Sequence, residues 1–156
     1  MADPDPSDVL TAPLVLEYPY TRTVGDVMGR FFTSLRDGRI EGIRGSDGRV
    51  ICPPTEYDPV TSETLSEFVE VGPGGEVTTW TWVAEALADT PLDRPFAWAL
   101  IRLDGADTAM LHAVDAGSEA NMATGMRVRA QWRATTEGGI RDIECFVPAA
   151  SETEKG

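Results

Sequence analysis

Hydrophobic positions recur at two periods along this chain, and the change of period divides it. Val24, Val27, Met28, Phe31, Phe32 and Leu35 follow one another at spacings of 3, 1, 3, 1 and 3. That recurrence lays them along one stripe of a helix. Thr23 is the expected N-cap, with Asp26 three residues on in a near capping-box arrangement. Gly38, after Arg36 and Asp37, suits a left-handed C-cap. Gly25 and Gly29 weaken such a helix on its own, so the stripe needs a surface to pack on. That surface is either the rest of its own domain or a partner subunit.

Past residue 38 the period shortens. Residues 39–44 and 49–52 read as two short strands around a Ser-Asp-Gly turn. Stronger strands follow at 67–71, 76–84, 96–103, 108–114, 126–134 and 139–147. Turn clusters such as Gly72-Pro73-Gly74-Gly75 and Asp104-Gly105-Ala106-Asp107 separate them. In residues 76–84, Val77, Thr79, Thr81 and Val83 alternate against Thr78, Trp80 and Trp82. A short Ala- and Met-containing piece ending at Gly125 interrupts the series. Five or six strands with one short helical insertion near the end predict a Greek-key β-barrel of the OB type. The expected fold is therefore mainly β: an N-terminal helix, a small strand pair, then the barrel. The expected organisation is a disordered tail at 1–13, a helix and small-sheet region at 14–64, the barrel at 65–148 and a second disordered tail at 149–156.

Composition narrows the function. The chain has 156 residues, 42% of them hydrophobic, enough for one domain with a core. Its net charge of −13 opposes binding to nucleic acid and to anionic membrane surfaces. No apolar run is long enough to span a bilayer. The start, Met1-Ala2-Asp3-Pro4-Asp5-Pro6, is acidic and Pro-rich, unlike a secretory signal, and predicts a cytoplasmic protein. Cys52 and Cys145, far apart in sequence, are expected as two buried thiols. One His and two Cys do not fill a Cys-and-His zinc site. His112 shares a face with Met110 and Val114, which points to a structural role. Phosphate-binding and metalloprotease motifs are missing, and no catalytic residue is assigned. Trp80, Trp82, Trp98 and Trp132 are expected in core packing or at a protein interface, because a base-stacking role needs a basic groove.

Several segments, in order, resemble a known family. Phe31-Phe32-Thr33-Ser34-Leu35-Arg36-Asp37-Gly38-Arg39-Ile40 looks like its helix end, and Gly48-Arg49-Val50-Ile51-Cys52-Pro53-Pro54 like its first metal knuckle and Pro-Pro turn. The run from Phe68 through Gly72-Pro73-Gly74-Gly75 to Thr81 resembles the start of its barrel. Arg94-Pro95-Phe96-Ala97-Trp98-Ala99-Leu100-Ile101-Arg102-Leu103-Asp104-Gly105 resembles its central strand, and Gly125-Met126-Arg127-Val128 a late step. The family is the acyl-CoA-associated zinc-ribbon and OB-fold family long called domain of unknown function 35. The resemblance covers about residues 24–148.

The departure from the family is at the metal. Arg44, Asp47, Asp58 and Thr61 stand where four cysteines are expected. This makes the 42–62 region a degenerate ribbon with no metal, held instead by an ionic clasp from Arg44 to Asp47 or Asp58 and by partner contacts. The resemblance implies a non-catalytic accessory subunit of an acyl-CoA-processing complex. Its implied partner is a thiolase-fold subunit in a hetero-oligomer, either a thiolase or a retro-aldol enzyme that shortens steroid side chains. No cofactor is expected on this chain, and a coenzyme A thioester is the ligand of the complex. Val27, Phe31, Phe32, Tyr57, Trp80 and Trp82 are the expected partner contacts. Arg102, Arg127 and Arg129, with Arg133, are the basic side chains for CoA phosphates. The alternative is a single-stranded nucleic-acid-binding OB module, which the charge opposes; a small enzyme built on His112 ranks behind both.

A structural zinc contributes on the order of 10 kcal/mol to folding in small peptide systems. Purified protein should nevertheless hold less than about one-tenth of an equivalent of zinc by elemental analysis. Stoichiometric zinc overturns the metal-free reading.

Overall fold

The computed structural model describes residues 12–19 and 23–149. Of the tails assigned to residues 1–13 and 149–156, residues 1–11 and 150–156 lie outside the described residues. Helix α1 spans Gly25–Arg36. Its N-cap is Val24, and no side chain caps it. Thr23 does not serve because Gly25 has φ +78°, and this left-handed step breaks the run that would bring the Thr23 hydroxyl to the first free N–H groups. At the other end Gly38 takes the expected left-handed conformation, φ +73°. Its N–H reaches Leu35 O at 3.0 Å, and Arg39 N–H reaches Ser34 O at 2.9 Å.

Strands β1 (Ile40–Arg44), β2 (Val50–Ile51) and β3 (Phe68–Val71) form a three-stranded antiparallel sheet in the order β2-β1-β3. Strand β3, expected to open the barrel, pairs with β1 instead, with Gly42 opposite Val69. A two-stranded hairpin is marginal in water, and β1 carries the buried Ile40 and Ile43, so a third strand is needed on its free edge.

The chain turns at Gly72-Pro73 into β4 (Gly74–Val83), followed by β5 (Phe96–Leu103), β6 (Ala109–Val114), β7 (Arg127–Trp132) and β8 (Ile143–Pro148). These five close a barrel in the order β4-β5-β6-β8-β7. All pairings are antiparallel except β6 with β8, joined at Val114 and Phe146. This is the OB-type topology, and the expected helical insertion between β6 and β7 is a single 3-10 turn, Glu119–Asn121.

Simple alternation fails in β4. A bulge between Val77 and Thr79 adds one residue and switches the phase. Val77 points inward before the bulge; after it Trp80 and Trp82 pack on the core while Thr79 and Thr81 are exposed.

The helix and the small sheet do not stand apart from the barrel. Phe31 and Leu35, 1% and 0% exposed, lie in one continuous core with Ile40, Val50, Cys52, Val77, Ile101, Met110 and Phe146. Val27 packs beside them against Ile43, Ile51, Leu65 and Phe68. The apolar stripe of α1 is thus covered by its own chain. Val27 and Phe31 are removed from the set of partner contacts, and Phe32 is half-buried. A helix weakened by glycines takes the nearest apolar surface, and here that surface is internal.

Polar contacts fix the same arrangement. The edge of β2 bonds to the β5–β6 loop: Val50 N–H reaches Asp107 Oδ2 and Asp107 N–H reaches Val50 O, both at 2.8 Å. Cys52 N–H donates to Thr108 Oγ1 at 2.8 Å. These bonds satisfy a strand edge that would otherwise be open. On the other side Arg30 makes a two-point contact with the buried Glu41 of β1, at 2.9 and 3.1 Å. Ser34 Oγ donates to the same carboxylate. Arg30 also lies 4.0 Å over the Phe68 ring.

A shared core predicts one cooperative unfolding transition. Phe31→Ala should lower stability by about 3–5 kcal/mol. Urea unfolding followed by far-UV dichroism (helix and sheet) and by tryptophan fluorescence (barrel only) should give coincident curves before and after the change. A barrel that outlives the helix in a separate transition overturns the shared core.

Candidate functional site: two facing loops and the barrel's outer face

Two tight loops project from the small sheet. In the first, Gly45 N–H bonds Arg49 O at 2.8 Å and Gly48 N–H bonds Gly45 O at 3.0 Å. In the second, Asp58 N–H bonds Glu63 O and Ser62 N–H bonds Asp58 O, both at 2.8 Å. Between them lies the Asp58 carboxylate, buried from solvent. Its Oδ2 accepts from Ser46 N–H of the first loop at 2.6 Å. Its Oδ1 accepts from Val60 and Thr61 N–H of the second, at 2.6 and 3.1 Å. One carboxylate therefore joins both loops. The Ser46 N–H, helped by those of Val60 and Thr61, outweighs burial and holds the Asp58 carboxyl at a pKa of about 2.

This replaces the expected ionic clasp. Arg44 does not reach Asp47 or Asp58. It lies alongside the backbone of Glu67 and pairs with that carboxylate, Nε to Oε1 at 2.7 Å, while its Nη1 donates to Gly48 O at 3.1 Å. Asp47 folds back on its own turn, accepting from Arg49 N–H at 3.0 Å and Arg49 Nε at 2.6 Å. The oxygens of Asp58 are already taken by backbone donors, so an arginine has nothing to gain there. Thr61 contributes its N–H to the bridge. Among the described residues, no three His, Cys, Asp or Glu side chains are grouped to ligate a metal. Cys52 is held in the core, and burial pushes its thiol up to about 12.

Three of the four basic side chains singled out for CoA, Arg102, Arg127 and Arg129, lie together on the barrel's outer face, whereas Arg133 lies apart, beside Trp98 and Ile143. Glu76 of β4 is opposite Arg102 of β5 and Arg127 of β7, and Arg129 is opposite Gly74. Two of the three are countered by acids that linear sequence does not place beside them. Arg127 meets Asp104 with Nη1 to Oδ1 at 2.8 Å, and Arg102 stands 3.6 Å from Glu76. Arg129 makes no ion pair among the described residues. Trp80 and Trp82 pack against the core and do not stand on the surface as stacking rings.

Apolar side chains are displayed elsewhere. Tyr57 and Val60, 58% and 62% exposed, stand on the second loop. Leu14, Val15, Leu16 and Tyr18 of the N-terminal segment are each at least 69% exposed. Sequence reasoning named Tyr57 and missed the others, although Leu14-Val15-Leu16 was a readable apolar run. His112 is buried in β6, and its polar contacts are backbone groups: Nδ1 accepts from Ala113 N–H at 2.9 Å and Nε2 lies 3.5 Å from Ile140 O. No nucleophilic side chain contacts it among the described residues.

The Asp58 bridge has a signed pH dependence. Its folded pKa is depressed from 3.8, so its stabilisation is complete above that value and is lost as pH falls through about 2. Asp58→Asn should lower the melting temperature by several degrees at neutral pH. The gap between variant and parent should close as the medium is acidified toward pH 2. A gap that stays constant down to that pH overturns the bridge.

Comparison with known proteins adds a family. Residues 68–133 match the family model described as ChsH2, C-terminal OB-fold domain. No curated protein matches the chain by sequence. A protein of unknown function from the DUF35 family of Sulfolobus solfataricus shares the fold at TM-score 0.57, with 24% identity over 70% of this chain and 80% of that one. The Ltp2-ChsH2(DUF35) aldolase shares it at TM-score 0.59, with 18% identity over 82% of this chain and 98% of that one. Residues 68–133 of its barrel are thus similar to the ChsH2 C-terminal OB-fold domain, and the fold is shared with both DUF35 structures.

Proposed function

We propose that this protein is an accessory subunit of an acyl-CoA-processing complex. It supports a thiolase-fold partner, a thiolase or a steroid side-chain retro-aldolase, and leaves the chemistry to that partner. The observation that carries the reading is the match of residues 68–133 to the ChsH2 C-terminal OB-fold domain. Likeness to one chain of an aldolase named for two components accords with it. So do the surfaces. The 42–62 region is read as a zinc ribbon whose metal has given way to the Asp58 bridge, and its second loop presents Tyr57 and Val60 to a partner. The exposed Leu14, Val15, Leu16 and Tyr18 suit a segment laid against another subunit. The Arg102, Arg127 and Arg129 row is the place for CoA phosphates, which would displace Glu76 and Asp104 as counter-ions. Its pairs are exposed and each contributes about 0–1 kcal/mol, so they yield easily to a multivalent phosphate.

Co-expression with a thiolase-fold partner should raise the partner's soluble yield and turnover several-fold, and the two should elute together. Tyr57→Ala should weaken that association about ten-fold or more without changing the melting temperature of the free chain. A partner equally soluble and active alone overturns the accessory role.

A further inference from the structure

A second site lies away from the ribbon and from the arginine row. An open cleft of about 310 Å³ is set against the barrel where β5, β6 and the start of β8 meet the segment around Pro91. Its walls are mainly apolar: Trp98, Leu111, Ile140 and Ile143. Leu111 is 59% exposed, an unusual position for a leucine at mid-strand on a sheet face with no cover. The volume falls at the lower end of small-molecule pockets, about 300–1,000 Å³.

Polar groups converge on the same cleft. His112 lines it and is more than nine-tenths buried. Ala113 N–H donates to Nδ1 at 2.9 Å, which leaves the proton of the neutral ring on Nε2. Burial, first among the influences on the ring, lowers its pKa and favours that neutral form. The Nε2–H donates to Ile140 O at 3.5 Å, a long hydrogen bond. A carboxylate oxygen entering the cleft would be a stronger acceptor for this donor than the distant carbonyl. Arg133 and Arg141 stand on the cleft as well. Neither makes an ion pair among the described residues, whereas Arg30, Arg44, Arg49, Arg94, Arg102 and Arg127 each have a carboxylate partner. Two acids also reach the cleft. Glu144 is engaged by Gln131 Nε2 at 2.9 Å, and Asp89 lies on the far wall with Pro91. The chain's overall negative charge acts weakly at such a site, because salt screens exposed charges beyond about 8 Å.

We propose that this cleft binds a small monocarboxylate with an apolar body, the carboxylate accepting from His112 Nε2–H and pairing with Arg133 and Arg141. The body, an aliphatic chain of medium length or a fused aromatic ring, covers Trp98 and Leu111. This site is independent of the accessory role and of the arginine row on β4, β5 and β7.

Calorimetric titration of the full chain with sodium octanoate and sodium 2-naphthoate tests it, with octanamide as the uncharged control. Saturable binding of at least one acid is expected, with a dissociation constant below about 1 mM. Which acid binds more tightly identifies the body as aliphatic or aromatic. Octanamide should bind at least about ten-fold more weakly than octanoate. The surface changes Arg141→Ala and Leu111→Glu should each weaken binding by about ten-fold or more while leaving the melting temperature unchanged. No saturable heat with either acid up to about 10 mM overturns the proposal, as does an unaltered affinity in Leu111→Glu or an amide that binds as tightly as the acid.

Discussion

The fold depends on Phe31 and Leu35 leaving helix α1 to enter the core of the barrel. Each large apolar side chain so buried contributes about 1.5–3 kcal/mol relative to exposure. Without that surface, a twelve-residue helix with two glycines and no side-chain cap has little reason to form. The same core takes Ile40, Val50 and Cys52 from the small sheet. The helix and the small sheet join the barrel in one unit because they share its interior.

That shared interior explains how the loops at 45–48 and 58–62 stay together. A structural metal fixes a small ribbon by tying two loops to one ion. Here the Asp58 carboxylate ties them through backbone N–H groups of both loops. Each hydrogen bond to a charged carboxylate contributes only about 1.5–3 kcal/mol. Further support comes from behind the sheet, from the core and from the Asp107 and Thr108 bonds along β2. The bridge sets the positions of the loops, and burial sets the stability.

The surfaces divide by chemistry. The β4, β5 and β7 face carries two arginine–acid pairs, Arg102 with Glu76 and Arg127 with Asp104, beside Arg129. The second loop and the N-terminal segment display apolar side chains with no cover from this chain. The cleft beside β6 combines apolar walls with a buried donor and two arginines. Only the last brings several kinds of group to one point.

The sequence by itself determined the elements. Period 3.6 marked α1, Gly38 marked its end, and alternating runs between Gly- and Pro-rich turns marked the barrel strands, because local patterning follows from which face each residue must bury. The ordered family-like segments also pointed to the OB-type barrel. Tertiary structure decided what those elements touch. It turned Val27 and Phe31 inward, moved β3 from the barrel to the small sheet, switched the phase of β4 at its bulge, and gave Arg44 to Glu67 instead of Asp58. Each of these outcomes rests on a partner distant in the chain. A pattern of hydrophobic and polar positions records how much of a residue is to be buried, and not which distant segment will bury it.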